Sequence, residues 1–111
     1  MVESAREKLV GWLERRAFDP VLRAKPGDYP ESKRAKLADV QRRTRSERER
    51  FRHYGSAQEV VVNFKRDLRS EPAQKVHRAL EDLGLPTLNA LEDEFERLAA
   101  EVGEGSGGSD R

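Results

Sequence analysis

Residues 57–68 read AQEVVVNFKRDL, and they decide the fold class because they contain VVVNF, the best candidate for a β-strand in the chain. Apolar residues in this stretch recur at i, i+3, i+4, i+7 and i+11, which is the spacing of one helix face. They are Ala57, Val60, Val61, Phe64 and Leu68. No stretch of the sequence alternates apolar and polar residues with the period of two that a half-buried strand shows. The sequence therefore predicts an all-α fold.

Two further helices are predicted after this stretch. Ser70-Glu71-Pro72 is a start signal, because serine caps a helix and proline suits its first turn. The helix that begins there is expected to stop at Gly84, since glycine readily adopts the left-handed conformation at a helix end. A short turn then leads into the last helix, at about 88–102. Helices joined by so short a turn are expected to pack as an antiparallel hairpin, here about 72–102, and to form the core with the helix at 57–69.

The two ends of the chain are predicted to behave differently. Residues 3–17 have helical spacing, and Phe18-Asp19-Pro20 is expected to end that helix, because a residue before proline is disfavoured in the α region. Residues 19–30 contain three prolines and one glycine, which predicts a loop that folds back over the core. Residues 103–111 have no apolar side chain, which predicts a disordered Gly/Ser-rich tail. The sequence thus indicates a single helical domain, residues 1–102.

A long central helix is predicted at about 31–54, between Pro30 and Gly55. Its apolar positions, counting Thr44 among them, follow steps of three and four along one narrow line, and Glu47 falls on the same line. A line this narrow, interrupted by a glutamate, is expected to be only half covered within one chain. We therefore predict a partner-binding seam, to be completed by a second copy or a partner helix. The seam residues are Leu37, Val40, Phe51 and Tyr54.

Five arginines border one side of the seam on a helical wheel. Taking Leu37 as zero, four of them lie at about 20° to 80° and the fifth at about 140°. We name these residues the arginine strip: Arg34, Arg42, Arg45, Arg48 and Arg52. Three interpretations stay open, namely a solvated or internally paired surface, a protein-binding surface, and an anion or nucleic-acid surface. In the first of these, the acidic last helix could lie against the strip.

Charge is distributed unevenly, although the chain has 22 basic and 21 acidic residues and a net charge of +1. Residues 33–54 contain nine Lys or Arg against three acids, whereas residues 79–111 contain nine acids against two bases. Proteins that read nucleic acids usually show a clearer basic excess. This balance favours a protein partner over a nucleic acid.

Residues that could support catalysis or metal binding are sparse in the sequence. The chain has no cysteine, no Gly-x-Ser-x-Gly turn and no glycine-rich loop before a helix. His53 and His77 are the only histidines, and neither has a histidine or aspartate three or four positions away to make a local chelate. We therefore infer no catalytic residue, no metal site and no cofactor, and we expect the protein not to be an enzyme.

The sequence as a whole predicts about five helices in one small bundle-like domain. We expect a non-enzymatic protein-interaction or oligomerisation module in the cytoplasm, with another protein or a second copy as its partner, a homodimer being possible. The alternative is a small nucleic-acid-binding protein that uses the arginine strip. No membrane association is expected, because the longest aliphatic run is Val60-Val61-Val62. No small-molecule substrate is inferred.

Overall fold

Helices form from nearly all the stretches that carry helical spacing. The computed structural model describes the backbone of residues 3–107 and the side chains of residues 3–103, and within this part of the chain it contains no strand. The α-helices are α1 (Ala5–Leu13), α2 (Asp19–Arg23), α3 (Glu31–His53), α4 (Ala57–Leu68), α5 (Glu71–Asp82) and α6 (Leu88–Gly107). A π-helical segment, Glu14–Phe18, joins α1 to α2 in one continuous run, so that the described residues form five helical runs besides a short 3₁₀ turn. The predicted all-α class and the long central helix are confirmed.

Side-chain caps fix several of the helix starts. Ser4 and Glu7 form a reciprocal capping box on α1. Ser56 and Ser70 accept hydrogen bonds from backbone amides in the first turns of α4 and α5. The end of α5 is followed by Gly84 with a φ of 70°, the left-handed conformation that glycine adopts without steric cost. The predicted signals at Ser70 and Gly84 thus act as expected.

The first helix does not end at Phe18-Asp19-Pro20, which corrects the sequence prediction. The Asp19 amide donates to the carbonyl of Glu14, one residue further back than in an α-helix, so the turn is widened. In a regular helix Pro20 would lack one hydrogen bond and its ring would clash with the preceding turn. After the wide turn Pro20 falls instead in the first turn of α2, where a missing N–H has no cost. The π-helical segment therefore lets the chain remain helical through a proline.

The predicted loop at residues 19–30 is partly helical and packs over the core. It contains α2 and a 3₁₀ turn at Pro26–Asp28. Val21 is buried, and the Tyr29 hydroxyl donates to the carbonyl of Leu83 at 2.9 Å. The Gln41 side chain donates to two carbonyls of this segment, those of Val21 at 3.0 Å and Ala24 at 2.8 Å. The expectation that this segment folds back over the core is confirmed.

Buried apolar side chains form two separate clusters. The larger one, cluster I, joins α1, the π-helical segment, α4, α6 and the end of α3. Its buried residues are Leu9, Val10, Trp12, Leu13, Ala17, Phe18, Phe51, Val60, Phe64, Leu68, Leu88, Leu91 and Phe95. Cluster II joins α2, the first half of α3 and α5, and its buried residues are Val21, Leu37, Val40, Leu80 and Leu83. The long α3 helix and the continuous run from α1 to α2 therefore each contribute to both clusters.

The two helices of the predicted C-terminal hairpin pack mainly on other helices rather than on each other. Helix α5 contacts α3 and contributes Leu80 and Leu83 to cluster II. Helix α6 contacts α1 and α4 and contributes Leu91 and Phe95 to cluster I. The short turn brings the two helices together in sequence, but each buries its apolar face in a different cluster. Turn length alone therefore did not determine the packing.

The last helix is longer than the sequence predicted. Its backbone is helical to Gly107, whereas the prediction ended the helix at residue 102. The side chains of residues 104–107 and all of residues 108–111 lie outside the described residues, so the predicted disorder of the 103–111 tail stays a prediction there. None of the described helices combines the length and the apolar character needed to cross a membrane.

Candidate functional site

The seam on α3 lies against cluster II near its start and against cluster I near its end. Leu37 and Val40 are 0% and 1% exposed and belong to cluster II. Phe51 is 0% exposed and belongs to cluster I, and Tyr54 packs against that cluster with its ring in edge contact with Phe51. Packing within one chain therefore already covers the seam, and the prediction that it is half covered is wrong. These positions offer little exposed apolar surface to a second chain.

The two polar positions of the same line, Thr44 and Glu47, lie between the clusters and face a pocket. This pocket has a volume of about 400 Å³ and is partly open to solvent. The π-helical segment and α2 form one wall, α3 forms a second wall, and α5 forms a third. Pockets of about 300 to 1,000 Å³ are typical of ligand sites. The glutamate that interrupts the seam therefore marks a cavity rather than a packing defect.

Apolar side chains from both clusters form most of the pocket lining. Phe18 contributes from the π-helical segment, Val21 from α2, and Val76 and Leu80 from α5. Phe18 and Val21 lie three residues apart, at the end of the π-helical segment and in α2, so they face the same wall. π-Helical turns are frequent at functional sites. The wide turn that accommodates Pro20 therefore lies beside the pocket.

A group of charged residues lines the pocket. Arg50 Nη2 lies 2.6 Å from Asp67 Oδ2 and 3.7 Å from Glu47 Oε2, so it donates a hydrogen bond to Asp67 and makes only a longer ionic contact with Glu47. No hydrogen bond reaches the Glu47 carboxylate from any described residue, although its side chain is only 29% exposed. Burial raises the pKa of Glu47, the Asp67 carboxylate raises it further, and Arg50 and Arg43 oppose both effects. Glu47 is therefore a carboxylate with unused acceptor capacity.

His77 is the most deeply buried ionisable residue of the pocket lining. It is 4% exposed, and its Nδ1 atom is buried without a hydrogen-bond partner among the described residues. Burial lowers the pKa of His77, and the nearby carboxylate of Glu81 only partly offsets this. A neutral imidazole has one nitrogen that donates and one that accepts. An unpartnered buried ring nitrogen lowers the stability of the folded protein.

Most of the arginine strip has partners within the chain. Arg34 Nε donates to the carbonyls of Pro26 and Tyr29, both at 3.1 Å, and Arg42 pairs with Asp39. The Arg34 contacts hold the 3₁₀ turn against the start of α3. The Arg42 contact neutralises Asp39 on α3 itself.

The remaining strip residues differ from one another. Arg52 Nε donates to Glu14 at 2.7 Å, and that contact raises the pKa of the guanidinium. Arg48 Nη1 lies 4.0 Å from the carboxylate of Asp19, while its Nε atom is buried without a partner. Arg45 has no ion pair or hydrogen bond with any described residue and is exposed. A continuous row of free cations is therefore not present on α3.

The acidic last helix does not supply the partners of the strip, contrary to one sequence interpretation. Its carboxylates pair with basic residues of the π-helical segment and of the end of α4. The pairs are Arg16 with Glu94 at 3.0 Å, Lys65 with Glu96 at 3.7 Å and Arg69 with Glu92 at 3.3 Å. The reason is the packing of α6 on α1 and α4, which places it away from α3. Internal pairing of the strip is thus present, but with acids from other elements.

Sequence reasoning missed the pocket residues, although one signal was visible. Glu47 on an otherwise apolar line was interpreted as a break in the seam, whereas it faces a cavity. His77 was considered only as a metal ligand, and within the described residues no group of three His, Cys, Asp or Glu side chains could hold a metal ion. No local sequence pattern identifies Asp67 and Val76 as site residues, because they join the site only when α4 and α5 pack beside α3.

Comparisons with protein family models, with curated proteins and with solved structures found no match to this chain.

Proposed function

We propose that this protein is a non-enzymatic protein-interaction module, and that the pocket between the two clusters binds one anchor side chain of a partner protein. The observation that carries this proposal is the pocket of about 400 Å³ that α3 lines with Thr44 and Glu47. Its apolar lining next to charged residues resembles the apolar centre and polar rim of protein interfaces. Interface energy is commonly concentrated in a few side chains that fill such pockets.

The rest of the described surface supports an anchor in the pocket rather than a broad apolar interface. Among the described side chains, Val62 is the single large hydrophobic residue that is exposed, at 52%. One valine is far from a contiguous apolar patch. An anchor group inserted into the pocket would therefore gain apolar contact that a single exposed valine does not provide.

A different protein is favoured over a second copy of the chain as the source of an apolar anchor side chain. Self-association through the pocket would need an exposed anchor side chain on the same molecule. The described residues offer only Val62 as a large exposed hydrophobic group, and a valine side chain is much smaller than the pocket. The seam that motivated a homodimer is covered within one chain. A cytoplasmic location stays a prediction from the sequence.

Nucleic-acid binding stays the alternative prediction, but the ion pairs of α3 give it little support. Phosphate binding depends on arginines that are free to replace counterions. Four of the five strip residues already contact acids or carbonyl groups of the same chain. Arg45 alone is too small a positive surface to track a phosphate backbone.

The proposal is tested by filling the pocket. Ala73 lines the pocket and lies in the first turn of α5, where its amide donates to the capping Ser70 hydroxyl. Ala90 has the equivalent position in α6, with its amide on Thr87, but is exposed. Ala73→Phe should fill the pocket, whereas Ala90→Phe is a matched control that places the same ring in solvent.

The assay is a ¹H–¹⁵N NMR titration with N-acetyl amino-acid amides that carry cationic, anionic, aromatic or aliphatic side chains. At least one of these probes should shift the amide signals of residues 70–77 in the wild-type protein and in Ala90→Phe, but not in Ala73→Phe. If no probe shifts these signals, or if Ala73→Phe binds as the wild type does, the pocket is not a binding site.

A further inference from the structure

His77 lies in the middle of the inward face of α5. Ala73, four residues before it, and Leu80, three residues after it, line the pocket together with it. The ring is 4% exposed, and its Nδ1 atom is buried with no hydrogen-bond partner among the described residues. Packing alone therefore holds this side of the ring.

A protonated His77 does not suit this environment. The imidazolium ion carries an N–H on both ring nitrogens, so that Nδ1 becomes a donor. Neither water nor an acceptor of the described residues reaches this donor while α5 is in place. A buried donor without a partner and a charge removed from water both raise the free energy of the folded state. Proton uptake by His77 therefore favours conformations in which the ring meets solvent.

Nearby charges do not compensate for the burial of this ring. Glu81, one turn further along α5, favours the charged ring but only partly offsets its desolvation, so the pKa of His77 is lowered. The π-helical segment, α2 and the turn into α6 contribute only uncharged residues to the pocket lining. The charged residues of that lining come from α3 and α4, and no ion pair joins any of them to the ring in the described part of the chain. They are Arg43, Glu47, Arg50 and Asp67.

Helix α5 is attached to the smaller of the two clusters. Its buried apolar residues, Leu80 and Leu83, belong to cluster II, whereas cluster I contains no buried residue from α5. Cluster I joins α1, α4, α6 and the end of α3 without help from α5. Segments with few buried apolar contacts open locally at a lower free energy than the whole domain unfolds. Helix α5 can therefore move outward while cluster I stays packed.

We propose that His77 makes α5 a pH-sensitive wall of the pocket: when the ring takes up a proton from solvent, α5 opens away from α3 and the ring becomes hydrated. Because α5 forms the third wall, the open form lacks the complete pocket. The consequence for binding rests on the proposed function. The proton favours the open form and the anchor side chain favours the closed form, so each opposes the other.

The size of the effect follows from the two protonation equilibria. An opened α5 would expose His77, and an exposed histidine has a pKa near 6.5. The closed form has the lower pKa and binds fewer protons, so a fall in pH favours the open form. From about pH 7.5 to about pH 5.5 the equilibrium constant for opening should rise severalfold, with a limit of about tenfold when the closed form takes up no proton. Glu47 acts in the opposite sense, because its raised pKa means that proton uptake favours the closed form, so the effect of His77 is measured against variants that lack this ring.

Amide hydrogen exchange of the full chain at these two pH values, corrected for the intrinsic exchange rates, measures the opening of α5. In the wild type the opening constants of residues 75–83 should rise severalfold at the lower pH, while those of residues 60–66 in α4 change by less than about twofold. His77→Phe and His77→Gln both remove the titrating group, so neither should show the rise in α5. His53→Phe is the matched control and should keep it, because His53 is the other histidine of the chain and is exposed.

The outcomes separate this inference from the proposed function, because the exchange measurement needs no ligand. A pH response of α5 that is the same in the wild type and in the His77 variants overturns the inference. An equal rise in residues 60–66 overturns it as well, since the whole domain then unfolds and α5 does not open alone. A ring signal of His77 that titrates in the wild type at or above 6.5 has the same consequence and requires no variant. If no probe binds the pocket at neutral pH, the proposed function is overturned, whereas the opening of α5 is judged by exchange alone.

Discussion

Replacement of Phe95 by alanine should remove the centre of cluster I. Phe95 lies on α6 and is 0% exposed. Its ring stacks on Phe64 with the ring centroids 3.9 Å apart and the planes at 23°, and it makes a tilted contact with Trp12 at 5.7 Å. These three rings come from α6, α4 and α1, so Phe95 connects three helices. Truncation would leave a cavity that rigid helices on three sides cannot close.

The expected cost follows from the size of the group removed. Phe→Ala at buried sites costs about 3 to 5 kcal/mol, which combines the lost apolar burial with the cavity left behind. A domain of this size is stable by about 5 to 10 kcal/mol. A loss of 4 kcal/mol would lower the melting temperature by roughly 15 °C at about 4 °C per kcal/mol. Circular dichroism at 222 nm during thermal and urea unfolding measures both quantities.

Val62→Ala is the control for this prediction. Val62 lies on α4 beside the same cluster, but it is exposed, so its truncation should change the free energy of unfolding by less than about 0.5 kcal/mol. If Phe95→Ala costs less than about 1 kcal/mol, the three rings are not packed as described, and the assignment of α6 to cluster I fails.

Three other perturbations test the charges of the molecule. At neutral pH, Glu47→Gln should raise the free energy of unfolding, because the raised pKa of Glu47 means that the folded state disfavours the ionised carboxylate. This gain should vanish as the pH falls below 4.5, the pKa of Glu47 in the unfolded chain. The control Glu49→Gln should show no such gain. His77 has a lowered pKa when folded, so the wild type should lose stability as the pH falls below 6.5, and urea unfolding of His77→Phe should show less of this loss. Replacing the whole arginine strip by glutamine should lower the melting temperature, since most of the strip is paired internally. Wild-type binding to duplex DNA in fluorescence anisotropy should be weak, and tight binding with a steep salt dependence, lost in that variant, would contradict internal pairing.

Local signals in the sequence predicted the helices well. The helical spacing in residues 57–68 correctly predicted α4, although VVVNF has a tendency to form a strand. The signals at Ser70 and Gly84 correctly marked the start and the end of α5. Pro20 was the local exception. The rule that proline ends a helix assumes regular α-helical geometry, and the π-helical turn before Pro20 removes the steric clash that the rule describes.

Tertiary packing determines which residues meet at the candidate site, and the sequence alone does not show this. A helical wheel shows which residues share a face of α3, but not what covers that face. Leu37 and Phe51 proved to face two different clusters, and Glu47 proved to face the gap between them. Asp67 and His77 reach the same gap from α4 and α5, at a distance in sequence that no local pattern spans. The candidate site is therefore a product of helix arrangement, with Glu47 as its one visible mark in the sequence.

The central claim is that the pocket between the two clusters binds an anchor side chain of a partner protein, and intermolecular nuclear Overhauser effects test it most directly. With ¹³C-labelled protein and the unlabelled N-acetyl amino-acid amide that shifts the signals of residues 70–77, the side-chain protons of the probe should show contacts to the methyl groups of Val21, Val76 and Leu80. Ala73→Phe should abolish these contacts, and Ala90→Phe should keep them. Contacts to Val62 or to methyl groups outside the pocket, or pocket contacts that persist in Ala73→Phe, would contradict the account.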